Sequence, residues 1–223
     1  MKCELDHIFI CVSCSGEEAG RLSEFGLTEG MSNTHPGQGT ACRRFFFANC
    51  YLELLWVSDA AEAQSATTRP MHLWERWNDR ASGACPFGMG FRPGNQPDGG
   101  FSFSSWEYRP SYLPAPLCMH VATNADVVTE PLLFYLSFAR RADSYPPEKR
   151  PPLLHRARLR EVTRVELTSP HAESLSVELA AVTSAGPVQL RVGTQYVVEL
   201  GFDGESQGQA ADFRPLLPVR FCW

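Results

Sequence analysis

Residues 35–57, HPGQGTACRRFFFANCYLELLWV, decide the fold of this chain. A loop punctuated by Gly37 and Gly39 opens the stretch, and both glycines permit positive φ or close backbone approach. Two strand-like runs follow, 40–48 and 51–57, joined by a short hairpin at Asn49-Cys50. The second run carries a single acid, Glu53, among Tyr51, Leu52, Leu54, Leu55, Trp56 and Val57. A carboxylate in so apolar a strand is costly to bury without a partner. Glu53 therefore lies on a rim or faces something cationic. In the first run Arg44 shares its parity with Phe46 and Ala48, and Arg43 with Phe45 and Phe47, so one of the two arginines faces the core side or a cup.

Upstream, residues 4–12 alternate as a strand, with Leu5, His7, Phe9 and Cys11 on one face and Asp6, Ile8, Ile10 and Val12 on the other. Ser15 with Glu17 and Glu18 starts a helix that Gly26 stops, and a weak strand covers 27–33. The order up to Val57 is β-α-β-β-β. Downstream, 58–80 is helical and polar, with Met71, Trp74 and Trp77 as a packing stripe. Residues 81–116 are rich in Gly, Pro and aromatics and hold two short apolar pieces, 87–91 and 106–108. A strand at 117–123 carries His120, 131–140 is a short helix or an extended arm, and 141–152 is a linker with four prolines.

The first pattern then returns. Residues 161–168 read as a strand, a helix runs from Pro170 to about Val182, and strands follow at 188–192, 195–202 and 218–222. Superposing VVEL (197–200) on YLEL (51–54) sets Glu199 on Glu53, Leu179 on Leu22 and Arg164 on His7. The expected fold class is α+β: two fused βαβββ units forming a curved, cup-like mixed sheet with flanking helices and an inserted middle segment. The first unit is expected at 1–57, the elaborated connection at 58–158 and the second unit at 159–223, all in one compact structural domain.

At 223 residues the chain is long enough for one full core. A net charge of −5 gives no basic field for nucleic acid or for an anionic membrane surface. The start, MKCELDHIFICV, does not read as a signal peptide, and no segment reaches the roughly 20 apolar residues that span a bilayer. The expectation is a cytoplasmic protein with its eight cysteines reduced. Cys11 and Cys14 form a C-x-x-C, but no second such pair exists for zinc and no thioredoxin-like helix follows directly, so the pair reads as structural.

The residues L-D-H-I (5–8), F-G-L (25–27), H-P-G-Q-G-T (35–40), R-R-F-F-F (43–47), Y-L-E-L (51–54) and D-F-R-P-L-L-P-V-R-F (212–221) resemble the glyoxalase-like domain proteins of the vicinal oxygen chelate superfamily. That superfamily includes glyoxalase I, extradiol dioxygenases, and the fosfomycin and bleomycin resistance proteins. The resemblance implies metal ligands from the first and last strands of each unit. His7 and Glu53 fall on the first pair of these positions and Glu199 on the third. Arg164 occupies the fourth and cannot bind a cation. Glu166 after a register shift, or His120, are substitutes. Nitrogen and carboxylate ligands suit Zn, Mn, Fe, Ni or Co.

There is also a coherent metal-free version: His7 and Glu53 form a hydrogen-bonded acid/base pair, while Arg164 pairs with Glu199 or holds a substrate anion. The bland alternative is a satisfied core histidine and a rim carboxylate. His35, Gln38 and one of Arg43 and Arg44 are candidates for a polar clasp on a carboxylate or carbonyl substrate, and Tyr108 with Trp106 for the wall of an apolar pocket. The subfamily has Asn where Cys42 stands. Function is expected to be the binding or transformation of a small, polar, oxygen-rich molecule, by a lyase, isomerase or dioxygenase with Glu53 and Glu199 as bases. The alternative is a non-catalytic protein that sequesters its ligand, as resistance proteins do. The middle segment is a candidate dimerisation element for a homodimer.

Overall fold

The computed structural model describes residues 3–94, 103–186 and 188–223. Met1 and Lys2 of the leader reading, 95–102 of the Gly/Pro-rich stretch, and Pro187 lie outside the described residues. Strand β1 (Cys3–Cys11) is followed by α1 (Ala19–Phe25), β2 (Asn33–His35), β3 (Thr40–Phe46) and β4 (Tyr51–Val57). Helices α2 (Ala60–Ala63) and α3 (Leu73–Asn78) lead to β5 (Phe87–Pro93), β6 (Ser105–Tyr108), β7 (Met119–Ala122) and β8 (Leu132–Tyr135). The remainder is β9 (Val162–Ser169), α4 (Val177–Ala185), β10 (Gln189–Val192), β11 (Val197–Phe202), β12 (Ala210–Asp212) and β13 (Val219–Cys222).

The strands form two sheets. The larger is eight-stranded, in the order β2-β3-β4-β1-β5-β8-β7-β6, and curls into a half-barrel. Its two halves meet at the antiparallel β1–β5 pair. In the first half β1 runs parallel to β4, and in the second β5 runs parallel to β8. The partner registers, His7 with Tyr51 and Gly88 with Leu132, have the same sequence separation. The smaller sheet is five-stranded, β10-β9-β11-β13-β12.

The second half of the cup is thus built by residues 87–135, inside the stretch expected to be an inserted connection. Residues 162–222 build the other sheet instead. There β9 and β11 are antiparallel, whereas β1 and β4 are parallel, so the VVEL strand is not the counterpart of the YLEL strand. The arm at 131–140 is extended, as β8, and the helix expected from Pro170 begins only at Val177.

Both faces of the large sheet are apolar, which explains why its central strands read as near-continuous hydrophobic runs. On the convex face Ile8, Ile10, Leu52, Leu54, Phe87, Met89 and Phe91 join Leu167, Val198, Leu200, Phe202 and Phe221 of the small sheet in the main core. On the concave face Phe9, Cys42, Leu55, Met71, Leu73, Val121, Leu132 and Phe134 form a second cluster. One side-chain clip joins the two sheets, and another ties the 153–159 segment to the first half. The Asn49 amide donates to the Val162 carbonyl at 2.7 Å and accepts from the Val162 N–H at 3.0 Å. His155 accepts from the Thr28 N–H at 2.9 Å and donates from Nε2 to the Phe46 carbonyl at 2.8 Å.

Candidate functional site

The site begins with one extra residue in β1. Leu5 faces Phe91 and His7 faces Gly90, so Asp6 is the unpaired residue of a β-bulge. Strict alternation would send Asp6 to the face opposite His7. Instead its Oδ2 lies 2.8 Å from His7 Nδ1 and its Oδ1 3.4 Å from Arg92 Nη1. Arg92 is also held by Glu4 at 2.9 Å. A buried line of charge therefore runs Arg92–Asp6–His7.

The far side of the imidazole, Nε2, stands 3.7 Å from Glu53 Oε2, and the two residues are only 5% and 6% exposed. Tyr51 stacks on His7 with ring centroids 4.3 Å apart. On the other flank His7 and Phe9 lie over Gly90 and Gly88. A Cβ at Gly90 would come within 2.8 Å of His7 Cε1, and one at Gly88 within 2.1 Å of Phe9 Cε1. Only glycine at these positions leaves room for the two rings.

These groups line a cavity of about 240 Å³ on the concave face. Its polar wall comes from the first half: His7, Asn33, His35, Gln38 and Glu53. Its opposite wall is apolar and comes from β7, β8 and the α3 region: Met71, Leu73, Met119, Val121, Leu132 and Phe134. Gln38 is held at both ends of its amide, donating to Thr40 Oγ1 at 2.8 Å and accepting from the Tyr112 hydroxyl at 3.0 Å. His35 Nδ1 contacts the same Thr40 hydroxyl at 2.9 Å. Burial lowers the pKa of His35 against the pull of Glu53, and burial together with Glu53 raises that of the Cys42 thiol.

Residues 5–90 match the glyoxalase-like domain family. Over that stretch the chain is glyoxalase-like. Nothing among the curated proteins matches it. A hypothetical protein from Staphylococcus aureus shares the fold at a TM-score of 0.51 and 12% identity, covering 99% of each chain. Two looser likenesses follow. Methylmalonyl-CoA epimerase from Mycobacterium tuberculosis has a TM-score of 0.37 and 11% identity over 61% of this chain and 89% of its own. A xylose isomerase-like TIM barrel/4-hydroxyphenylpyruvate dioxygenase fusion protein has 0.46 and 10% over 89% and 36%. The curled sheet is consistent with the vicinal oxygen chelate fold.

The cup does not gather all the residues that the sequence singles out. His7, His35, Gln38 and Glu53 line it. Arg43 points to the other face of β3, where Glu29 grips it at 2.7 and 2.6 Å. Arg44 is on the same face as Glu53 but lines a neighbouring cavity. Tyr108 is buried in the apolar cluster with its hydroxyl 3.5 Å from Thr68 Oγ1, and Tyr112 stands at the cavity instead. His120 shares β7 with the lining residues Met119 and Val121, and alternation turns it to the opposite face, near Tyr135 and 3.8 Å from Cys118 Sγ. Glu199 lies on the small sheet between Arg164, at 2.5 Å, and Arg220, at 3.2 Å. Glu166 is on that sheet too, 3.3 Å from Arg191.

Among the described residues, the donors for a metal in the cup therefore come from the first half, while Glu107, Cys118 and His120 form a separate group on the opposite face of β6 and β7. One ligand atom each of His35, Cys42 and Glu53 lies within 4.8 Å of the others, and His7 Nε2 approaches Glu53 from the side. Asp6 behind His7 is the carboxylate–histidine arrangement that orients a ligating imidazole. The mixed N, S and O set fits a zinc-like divalent ion. Among the described residues, β7 and β8 offer the cavity only apolar side chains, Met119, Val121, Leu132 and Phe134. Asp6, Cys42 and Tyr112 are the parts of the site that sequence reasoning missed. Among the described residues no helix is long and apolar enough to cross a membrane.

Proposed function

We propose that the cup binds a compact organic molecule with neighbouring oxygens at one end and an apolar body, and that His7 and Glu53 move a proton at the oxygen-bearing end. The observation that carries this reading is the division of one cavity into a polar wall from β1–β4 and an apolar wall from β7–β8 and α3. Pockets for drug-sized ligands start near 300 Å³, so a cavity of about 240 Å³ suits a single ring or short chain.

The proton chemistry follows from the hydrogen bonds. Asp6 is an acceptor, so His7 Nδ1 carries a hydrogen and a neutral imidazole leaves Nε2 as an acceptor. Nε2 then faces a second acceptor, the Glu53 carboxylate, at 3.7 Å in a buried place. Two acceptors so placed call for a proton or a cation between them. With a proton on Nε2, the Glu53 carboxylate takes a proton from a C–H or O–H beside a carbonyl, His7 gives its own proton to the atom that gains the electron pair, and the proton on Glu53 then passes across the gap to restore Nε2. Gln38 fixes the amide dipole that orients the substrate oxygen, and Phe134 and Leu132 exclude water. His7, His35, Cys42 and Glu53 are the residues that would hold a divalent metal, which would polarise the paired oxygens when bound.

Two neutral probes, catechol and 1-phenylpropane-1,2-dione, test the reading by thermal shift and calorimetry. Binding to the native protein is expected, with a loss of about tenfold or more in both Glu53→Gln and Leu132→Glu. Equal binding by all three proteins overturns it. Metal content after purification without chelator, and the thermal shift given by zinc or manganese in native protein against Glu53→Gln, decide whether proton or metal fills the gap.

A further inference from the structure

Beside the cup lies a second cavity of about 570 Å³, and the two share Tyr51, Leu136 and Phe138 as a common wall. Its character is different. Arg44, Arg92, Arg140, Lys149 and Arg150 line it, against only Asp6 and Glu148. Arg92 is neutralised by Glu4 and Asp6. The other four cations have no ion pair among the described residues. This concentration of unpaired positive charge stands in a chain whose net charge is −5.

Three of the guanidinium groups are held without being neutralised. Arg44 donates from Nε to the Met31 carbonyl at 3.0 Å and lies over the Phe46 ring at 5.3 Å. Arg140 lies over the Tyr145 ring at 5.5 Å. Arg150 donates from Nε and Nη2 to the Tyr145 carbonyl at 3.1 and 3.0 Å. Carbonyls and aromatic faces restrict these side chains yet leave their charge uncompensated, and part of each fork remains open. A planar fork fixed in advance loses less entropy on gripping an oxyanion than a free one. Surface arginines in a solvated patch do not need such anchors, and they do not converge on a cavity.

We propose that this second cavity is a binding site for the phosphate or carboxylate group of a small anionic ligand, with Arg44, Arg140 and Arg150 as its contacts. Tyr51 forms its floor toward the cup, and the same ring stacks on His7. An anion seated here stands one aromatic ring from the imidazole. The site does not depend on the chemistry assigned to Glu53, and the two ideas fail separately.

Calorimetry with sodium pyrophosphate and with disodium succinate at low ionic strength tests the proposal. Native protein is expected to bind at least one of the two, and the stronger of them names the ligand's anionic group. Arg140→Gln/Arg150→Gln is expected to weaken that binding about tenfold or more, as is about 0.5 M sodium chloride, because partly exposed charges are screened at that ionic strength. Both arginines are exposed, so the melting temperature of the unliganded double variant should match the native one. Glu53→Gln should bind the anion as native protein does, and the double variant should still bind catechol. No anion binding by native protein, or undiminished binding by the double variant, overturns the proposal.

Discussion

Asp6 occupies its position because β1 contains one more residue than β5 can pair. That single insertion converts a strand carboxylate into the partner of both His7 and Arg92. Removing one member of a buried charged line leaves the other unpaired, which costs about 3–5 kcal/mol. Glu4 still pairs with Arg92 at 2.9 Å, so Asp6→Asn is expected to cost less than that, about 2 kcal/mol in urea titrations, mainly through the weakened hydrogen bond to His7. Gly88→Ala should cost about 2 kcal/mol, since its methyl would press on the Phe9 ring 2.1 Å away and must push it off its rotamer. Asp6 was not legible in the sequence. Alternation sends it away from His7, and a bulge leaves no local signal when no glycine marks it. Glu53 was legible as an oddity because every neighbour on its strand is apolar.

At the level of elements, the 153–159 segment is pinned by a neutral histidine. Nδ1 of His155 accepts and Nε2 donates, so a second proton would break the bond from Thr28. Burial accordingly holds the His155 pKa below its ordinary value. The unfolded chain takes up this proton near pH 6.5, before the folded one does, so stability is complete above that value and declines as pH falls toward the lower native pKa. Denaturant midpoints measured between about pH 8 and pH 5 should show this decline, and His155→Gln should show a shallower one. The first-half strands were readable because they are long and apolar on both faces, and Gly26 marked the end of α1. The second-half strands were not. β6, β7 and β8 are four residues each, β5 faces the cup with glycines, and no acid stands where Glu53 stands in β4. The repeated E-L instead drew attention to β11, whose pairing runs the other way.

For the whole molecule, the two sheets are held by the shared core and by the Asn49 clip. Asn49→Ala removes two hydrogen bonds and leaves the backbone groups of Val162 without them, a cost of about 2–3 kcal/mol, read as a lowered midpoint in a single cooperative transition. The small sheet contributes no group to the cup. Glu199→Gln is therefore expected to leave catechol binding at the native level, while Glu53→Gln weakens it about tenfold or more. Equal losses in both variants would restore the idea that the two acids serve one site. The residue pairing Arg164–Glu199 could be guessed from the sequence, but not which sheet holds it, because strand direction is set by long-range pairing and not by local composition.

The half-barrel has a near-symmetric backbone and an asymmetric lining, with the imidazoles of His7 and His35 and the carboxylate of Glu53 on one side of the seam between β1 and β5. A guest rotated end for end would press its oxygens against leucine and phenylalanine. Flat intermediates in this hollow would accordingly be protonated from a single direction, so a product with a new stereocentre should form as one enantiomer.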